Sequence, residues 1–211
     1  MTTGKGEEWI IKFPAHVDGE NAWKMEYFYS CCAKKCGIIM SETRLFPSEN
    51  CEGYFGIKRF DRISDKNGTK RIHMLTAAAL LELNFEQPSL DYHSLMKLTK
   101  ILTRDNKKDM REMFRRMCFN VFAHNRDDHS KNFTYLYNDE KDRWSLSPAY
   151  DLTYSNTYYA EHTTTVDGNG RNPGRKELLT VGIAAGMKKE VCIESIDMVE
   201  KCVKNMLGRY L

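Results

Sequence analysis

The sequence predicts an α+β fold in which a small strand-rich region, residues 1–62, precedes a mostly helical one, residues 63–211. Three observations predict it. Short apolar runs bounded by turn residues cluster before Asp61. One strongly amphipathic helix occupies the middle of the chain. That helix leads into a hairpin-like segment carrying Asp127, Asn132 and, just beyond, Asp151. A chain of 211 residues fills one large domain or two small ones.

The elements follow in order. Trp9-Ile10-Ile11-Lys12-Phe13 is a strand stopped by Pro14, and Thr3-Gly4-Lys5-Gly6 before it reads as a turn. From Gly19 to Lys35, Ala22, Met25, Tyr29 and Cys32 or Ala33 recur at helical spacing, and Gly37 is placed to end the helix. Glu42 to Phe46 and Tyr54 to Asp61 are strand candidates; Ser64 to Thr69 is a polar turn. The composition then becomes helical. Thr76 to Leu83 forms a short helix, and Asp91 caps another that runs to about Leu102. Between Lys107 and His124, Met110, Met113, Phe114, Met117, Cys118, Val121 and Phe122 trace one apolar stripe. Asn132 to Leu136 and Trp144 to Leu146 are short strands joined by a turn at 138–142. After a glycine-rich loop at 168–174 come helices from Arg175 to Met187 and from Val191 to about Leu207. No internal repeat or low-complexity segment interrupts this order.

Composition excludes several classes of function. A net charge of +3 is too small to argue for nucleic acid. The densest basic cluster, Lys107, Lys108, Arg111, Arg115 and Arg116, is interrupted by Asp105, Asp109 and Glu112 and reads as a solvated helix face, so no direct nucleic-acid contact is expected. Seven cysteines, an odd number without a secretory framework, fit thiols in a reducing cytoplasm. Cys31, Cys32 and Cys36 lack a Cys-x-x-Cys pair and read as buried helix cysteines rather than zinc ligands. The first ten residues carry Lys5, Glu7 and Glu8 and no apolar core, which argues against a signal peptide. No apolar run approaches the ~20 residues of a membrane span. The expected location is cytoplasmic, without membrane contact.

Four side chains carry the chemistry. Asp127 and Asn132 have the five-residue spacing of a kinase catalytic loop, where the Asp accepts the proton of an attacking hydroxyl and the Asn holds magnesium. Asp151 is placed to hold magnesium from the other side. Ile10-Ile11-Lys12 resembles the strand motif whose lysine neutralises nucleotide phosphates, and Glu26 on the next helix is placed to pair with it. Each residue alone has a bland reading: a turn cap for Asp127 or Asp151, an Asx-turn for Asn132, an exposed charge for Lys12. Their order, lysine strand, glutamate helix, Asp/Asn loop and second Asp, is that of a bilobal protein kinase. His129 either braces the loop or contacts phosphate, and Lys131 either supports the loop or stabilises the transferred phosphoryl group. His16, His73, His93 and His162 have no partner identifiable from sequence.

At these residues the chain resembles the HipA family, bacterial serine/threonine kinase-like proteins known as toxins of toxin–antitoxin pairs. The matching blocks are Trp9 to Pro14, Met25-Glu26-Tyr27-Phe28, Ile57 to Arg62, Asp127 to Phe133 and Leu146 to Asp151. The resemblance implies ATP and Mg2+ as ligands. Asp127 would be catalytic, Asn132 and Asp151 the magnesium ligands, and Lys12 the phosphate-binding lysine. Lys58, Arg59 and Phe60 would form the connection between lobes, where backbone groups meet adenine. The implied acceptor is a protein hydroxyl, with aminoacyl-tRNA synthetases among the family's substrates, and the implied partner is a helix-turn-helix antitoxin.

One departure qualifies this. Eleven residues precede Lys12, and Gly4-x-Gly6 is too close to it to be the family's Gly-rich phosphate loop. The expectation is a truncated small lobe and weak ATP binding, unless a small partner chain supplies the missing strands. An inactive binding module, one half of a split kinase, and a small-molecule kinase stay open. So does a metal nuclease using His124, Asn125 and His129.

Overall fold

The computed structural model describes residues 2–3, 7–13, 22–49, 53–66, 68–84, 89–156 and 160–211. Gly4, Gly6, His16 and the 19–21 start expected for the first helix lie outside them.

Four strands, β1 (Thr2–Thr3), β2 (Glu7–Ile11), β3 (Thr43–Phe46) and β4 (Tyr54–Lys58), form an antiparallel sheet in the order β1-β2-β4-β3. The β2 strand ends one residue before Lys12, yet the Lys12 amide still donates to the Phe55 carbonyl at 2.9 Å, so the pairing fixes where this residue emerges. Helix α1 (Ala22–Lys35) lies on the sheet and buries Trp23 against Phe55 and Ile57. Its end is set by Gly37 at φ +71°, with Gly37 N–H donating to Lys34 O and Ile38 N–H to Ala33 O at 3.0 Å each. That is a Schellman stop, as the glycine's position predicts.

Residues 62–76 differ from expectation. The chain reverses within the expected 64–69 turn, but around it and beyond it lie three strands rather than a lead into helix: a hairpin of β5 (Arg62–Asp65) and β6 (Gly68–Arg71), then β7 (Met74–Thr76). The expected strand to Asp61 accordingly stops at Lys58. The hairpin buries almost nothing, and Ile63 is 53% exposed, so no alternating apolar signal marks it. The β7 strand exists through pairing with β8 (Thr134–Asn138), which also pairs with β9 (Arg143–Leu146). A partner about sixty positions downstream is invisible to a local reading. The helix expected from Thr76 to Leu83 is the single turn α2 (Ala77–Leu80), capped by Thr76.

The remaining helices follow the sequence closely: α3 (Tyr92–Leu102), α4 (Lys107–Phe122), α5 (Arg175–Ala184) and α6 (Lys189–Leu207). Asp91 caps α3 by accepting from His93 N–H at 2.8 Å. The predicted α4 stripe is the centre of the main core, and Met113, Phe114, Met117 and Cys118 are fully buried. Each large apolar side chain buried there contributes about 1.5–3 kcal/mol. Helix α5 approaches closely at Gly182, where a Cβ would meet Cys192 Sγ and Phe114 Cε2 at 2.6 Å. No described helix is long and apolar enough to cross a membrane.

The basic cluster on α4 is not one solvated face. Lys107, Lys108 and Arg111 are exposed, but Arg116 and Glu112 are 2% and 3% exposed. Arg116 Nη2 lies 2.9 Å from Glu112 Oε1 and donates to the Ser147 carbonyl at 2.5 Å. Glu112 Oε1 also accepts from Ile39 N–H at 3.0 Å, and Ala149 N–H donates to Ile39 O at 2.7 Å. A buried ion pair therefore ties α4 to the segment that follows α1 and to residues 147–149, just ahead of Asp151. From Glu112 to Val121 every α4 residue except the half-buried Arg115 is buried, so two of its charges turn inward and pair.

Candidate active site

Lys12 is the meeting point of the site. Its Nζ donates to Glu26 Oε1 at 2.7 Å and to Asp151 Oδ1 at 2.5 Å, joining residues 139 positions apart. Burial pushes the Lys12 ammonium towards a lower pKa, but Glu26 and Asp151 outweigh it and hold the pKa above the ordinary lysine value. Lys12 is therefore cationic throughout the neutral range. Glu26 is buried, whereas the side chains of Lys12 and Asp151 are 41% and 37% exposed. Asp151 sits at φ +57°, in the left-handed region that Asp tolerates better than most residues.

These three residues line a cleft of about 260 Å³ together with Lys58, Arg59, Phe60, Ile10, Ile57, Met74 and Tyr150. Ile10 and Met74 are 47% and 40% exposed, so the cleft offers open apolar walls beside a charged end. The Phe60 and Tyr150 rings face one another with centroids 5.7 Å apart. Lys58 Nζ is bonded to Glu7 Oε1 at 2.7 Å, and Asp61 holds Arg59 and Arg62. The paired Arg59 keeps the Asp61 carboxyl below its ordinary pKa.

The other sequence-predicted residues form a second group. Asp127, His129, Lys131 and Asn132 occupy the loop after α4 and the short 3-10 turn Ser130–Asn132. The Asp127 side chain is 55% exposed. Asn132 Nδ2 donates to the Asp127 carbonyl at 2.9 Å, closing the loop on itself. His129 Nε2 stands 4.0 Å from Asp127 Oδ1, and His129 Nδ1 is buried with no hydrogen-bond partner among the described residues. Lys131 is exposed, and its carbonyl accepts from Tyr150 OH at 2.6 Å. Tyr150 OH also lies 2.6 Å from Thr134 Oγ1. Tyr150, next to Asp151, therefore links the loop to the cleft.

Sequence reasoning missed what anchors the loop. Asp128 is fully buried and accepts from Tyr92 OH at 2.9 Å and Thr164 N–H at 3.0 Å, with His162 Nδ1 at 3.1 Å. Asn120 Nδ2 donates to Tyr92 OH at 2.8 Å. His162 thus has a partner after all, as do His93, bonded to Asp167 at 3.0 Å, and His73, packed on Trp144. Doubled acids at 127–128 were the available signal, one facing solvent and one facing the core. Asp128→Asn puts amide hydrogens where acceptors are needed. It is expected to cost about 2 kcal/mol or more, read as a lowered urea midpoint with an unchanged slope.

Comparison with known proteins places the chain in a family. The model of the HipA-like C-terminal domain matches residues 1–206. The chain belongs to that family. A relative, Y4dM of Sinorhizobium fredii, which is named as a kinase, is 26% identical over 161 residues, covering 71% of this chain and 38% of Y4dM. Among solved structures, HipA of Shewanella oneidensis MR-1, in complex with HipB and its operator DNA, aligns with a TM-score of 0.79 at 15% identity. That alignment covers 95% of this chain and 51% of HipA. The Helicobacter pylori proinflammatory kinase CtkA aligns with a TM-score of 0.63 at 12% identity over 99% of this chain and 88% of CtkA. The HipA-like chain thus has the fold of these proteins and spans about half of HipA or less of Y4dM.

Proposed function

We propose that this HipA-like chain is the kinase region of an enzyme that transfers the γ-phosphoryl group of ATP to a serine or threonine hydroxyl of a protein. On this reading residues 1–62 and 63–211 act as its two lobes. The observation that carries the reading is the Lys12 ammonium held between Glu26 and Asp151 at the charged end of an apolar cleft. Glu26, buried, grips Lys12 from one side. The half-exposed contact with Asp151 is the one that a phosphate oxygen can replace. The walls formed by Ile10, Ile57 and Met74 suit the flat face of adenine, with the 58–60 backbone beside it.

Asp127 is exposed enough to meet an incoming hydroxyl, orient it and take its proton. The buried anchor at Asp128 and the Asn132 bond keep its backbone still. His129 and Lys131 flank it as phosphate contacts. The residues also fit a magnesium ion by donor chemistry: Asp151 offers carboxylate oxygens, and Asn132, with its nitrogen spent on Asp127, offers its amide oxygen. Magnesium when bound would offset the charge on the phosphate oxygens. By family resemblance the acceptor would be an aminoacyl-tRNA synthetase, and the regulator a HipB-like antitoxin such as the one seen with HipA.

The test is incubation with γ-labelled ATP, magnesium and a bacterial soluble protein fraction, followed by phosphoamino-acid analysis. The expected product is phosphoserine or phosphothreonine. Label on small molecules alone, or no label in excess enzyme, would contradict the proposal.

A further inference from the structure

Three thiols meet where the C-terminal end of α1 packs on α6. The sulfurs of Cys32, Cys36 and Cys202 all lie within 4.8 Å of one another. Cys32 and Cys36 are fully buried, and Cys202 is partly covered. Cys36, just past the end of α1, still donates its N–H to the Cys32 carbonyl at 2.9 Å, so the two are one turn apart and share a face; Cys202 comes from 166 positions beyond Cys36, on the facing helix. A fourth sulfur is adjacent: the Cys202 thiol lies 4.0 Å from Met206 Sδ, one turn further along α6. No His or carboxylate belongs to the group among the described residues.

Apolar cores accommodate single cysteines readily, but three thiols within 4.8 Å of one another, with a thioether 4.0 Å from one of them, form a soft ligand set. Two sulfurs bound to one tetrahedral ion at ~2.3 Å stand about 3.8 Å apart. The observed spacing therefore needs only a small contraction. The thiols already interact. Hydrogen bonding from Cys36 lowers the Cys32 pKa below the usual thiol value, while Cys36 and Cys202 are raised. Lys35, on α1, is a nearby cation that favours the Cys202 thiolate.

We propose that Cys32, Cys36 and Cys202, with the Met206 thioether beside them, form a site for a thiophilic metal ion, copper(I) by the ligand set, that clamps α1 to α6. Thiolate and thioether together select copper(I), whereas structural zinc takes a fourth thiolate or imidazole. Each ligating thiol gives its proton to solvent on binding. The helix so fixed is the one that carries Glu26.

The test is anaerobic titration of the reduced full chain against copper(I) held by bicinchoninate. The expected result is transfer of one copper per chain and a sulfur-only shell by X-ray absorption on the loaded wild type. Cys36→Ser and Cys202→Ser should each weaken uptake by more than the ~10–100-fold that supporting residues are worth. Cys31→Ser, a neighbour outside the cluster, should bind as wild type does. Circular dichroism checks that the variants fold, and the wild-type absorption spectrum decides the matter if they do not. Copper left on the chelator, nitrogen or oxygen ligands in the shell, or uptake indifferent to both folded cluster variants would overturn the proposal. Zinc taken up at one equivalent in place of copper(I) would overturn the choice of ion.

Discussion

Replacing Asp127 by Asn is expected to lower phosphoryl transfer by roughly 10²–10⁴-fold while leaving nucleotide binding and the thermal midpoint close to wild type. The side chain is 55% exposed, and the loop is held by other groups: the Asn132 bond reaches the Asp127 carbonyl rather than its carboxylate. The substitution keeps size and shape and removes only the capacity to accept a proton. Initial rates with labelled ATP, alongside calorimetric nucleotide binding, separate the two effects. Equal loss of binding and transfer would show that Asp127 supports the fold and would remove it from the chemistry.

The largest stability effect is expected at Arg116. Arg116→Met preserves length and apolar bulk but leaves Glu112 charged and buried. It should cost about 3–5 kcal/mol. For a chain of this size that corresponds to a midpoint lowered by roughly 6–20 °C. The loss should also reach the site, because the Ser147 carbonyl then has no donor in Arg116 and the 147–151 segment loosens. The double variant Glu112→Gln/Arg116→Met should recover part of the loss, since it removes the stranded charge. Urea unfolding of both single variants and the double variant measures this coupling. A midpoint unchanged in Arg116→Met would mean that the pair is solvated.

How much of this was legible follows from which forces act locally. The α4 stripe, the Asp91 cap and the Gly37 stop depend on neighbours within a turn, and all three stand where the sequence puts them. The strands at 62–76 depend on partners elsewhere in the chain or on an exposed hairpin with no apolar alternation, so nothing local announces them. At the site, Lys12, Glu26 and Asp151 could be named because their residue types and order match a known chemistry. Asp128, His162 and Tyr150 could not, because their role lies in contacts that only folding creates. Arg116 and Glu112 were misread for a related reason. The buried stretch of α4 from Glu112 onward turns these two charges inward, where they must pair, and the sequence does not show how far along the helix the core reaches.

We propose that the Lys12–Glu26–Asp151 cluster holds the phosphates and metal of a nucleotide. Calorimetric titration with ATP, with and without magnesium, tests it most directly. Wild type should bind in a magnesium-dependent manner. Asp151→Asn should lose that dependence, and Lys12→Met should weaken binding by about 10–100-fold, the worth of a charge-assisted contact. Magnesium-dependent binding undiminished in both folded variants would contradict the account.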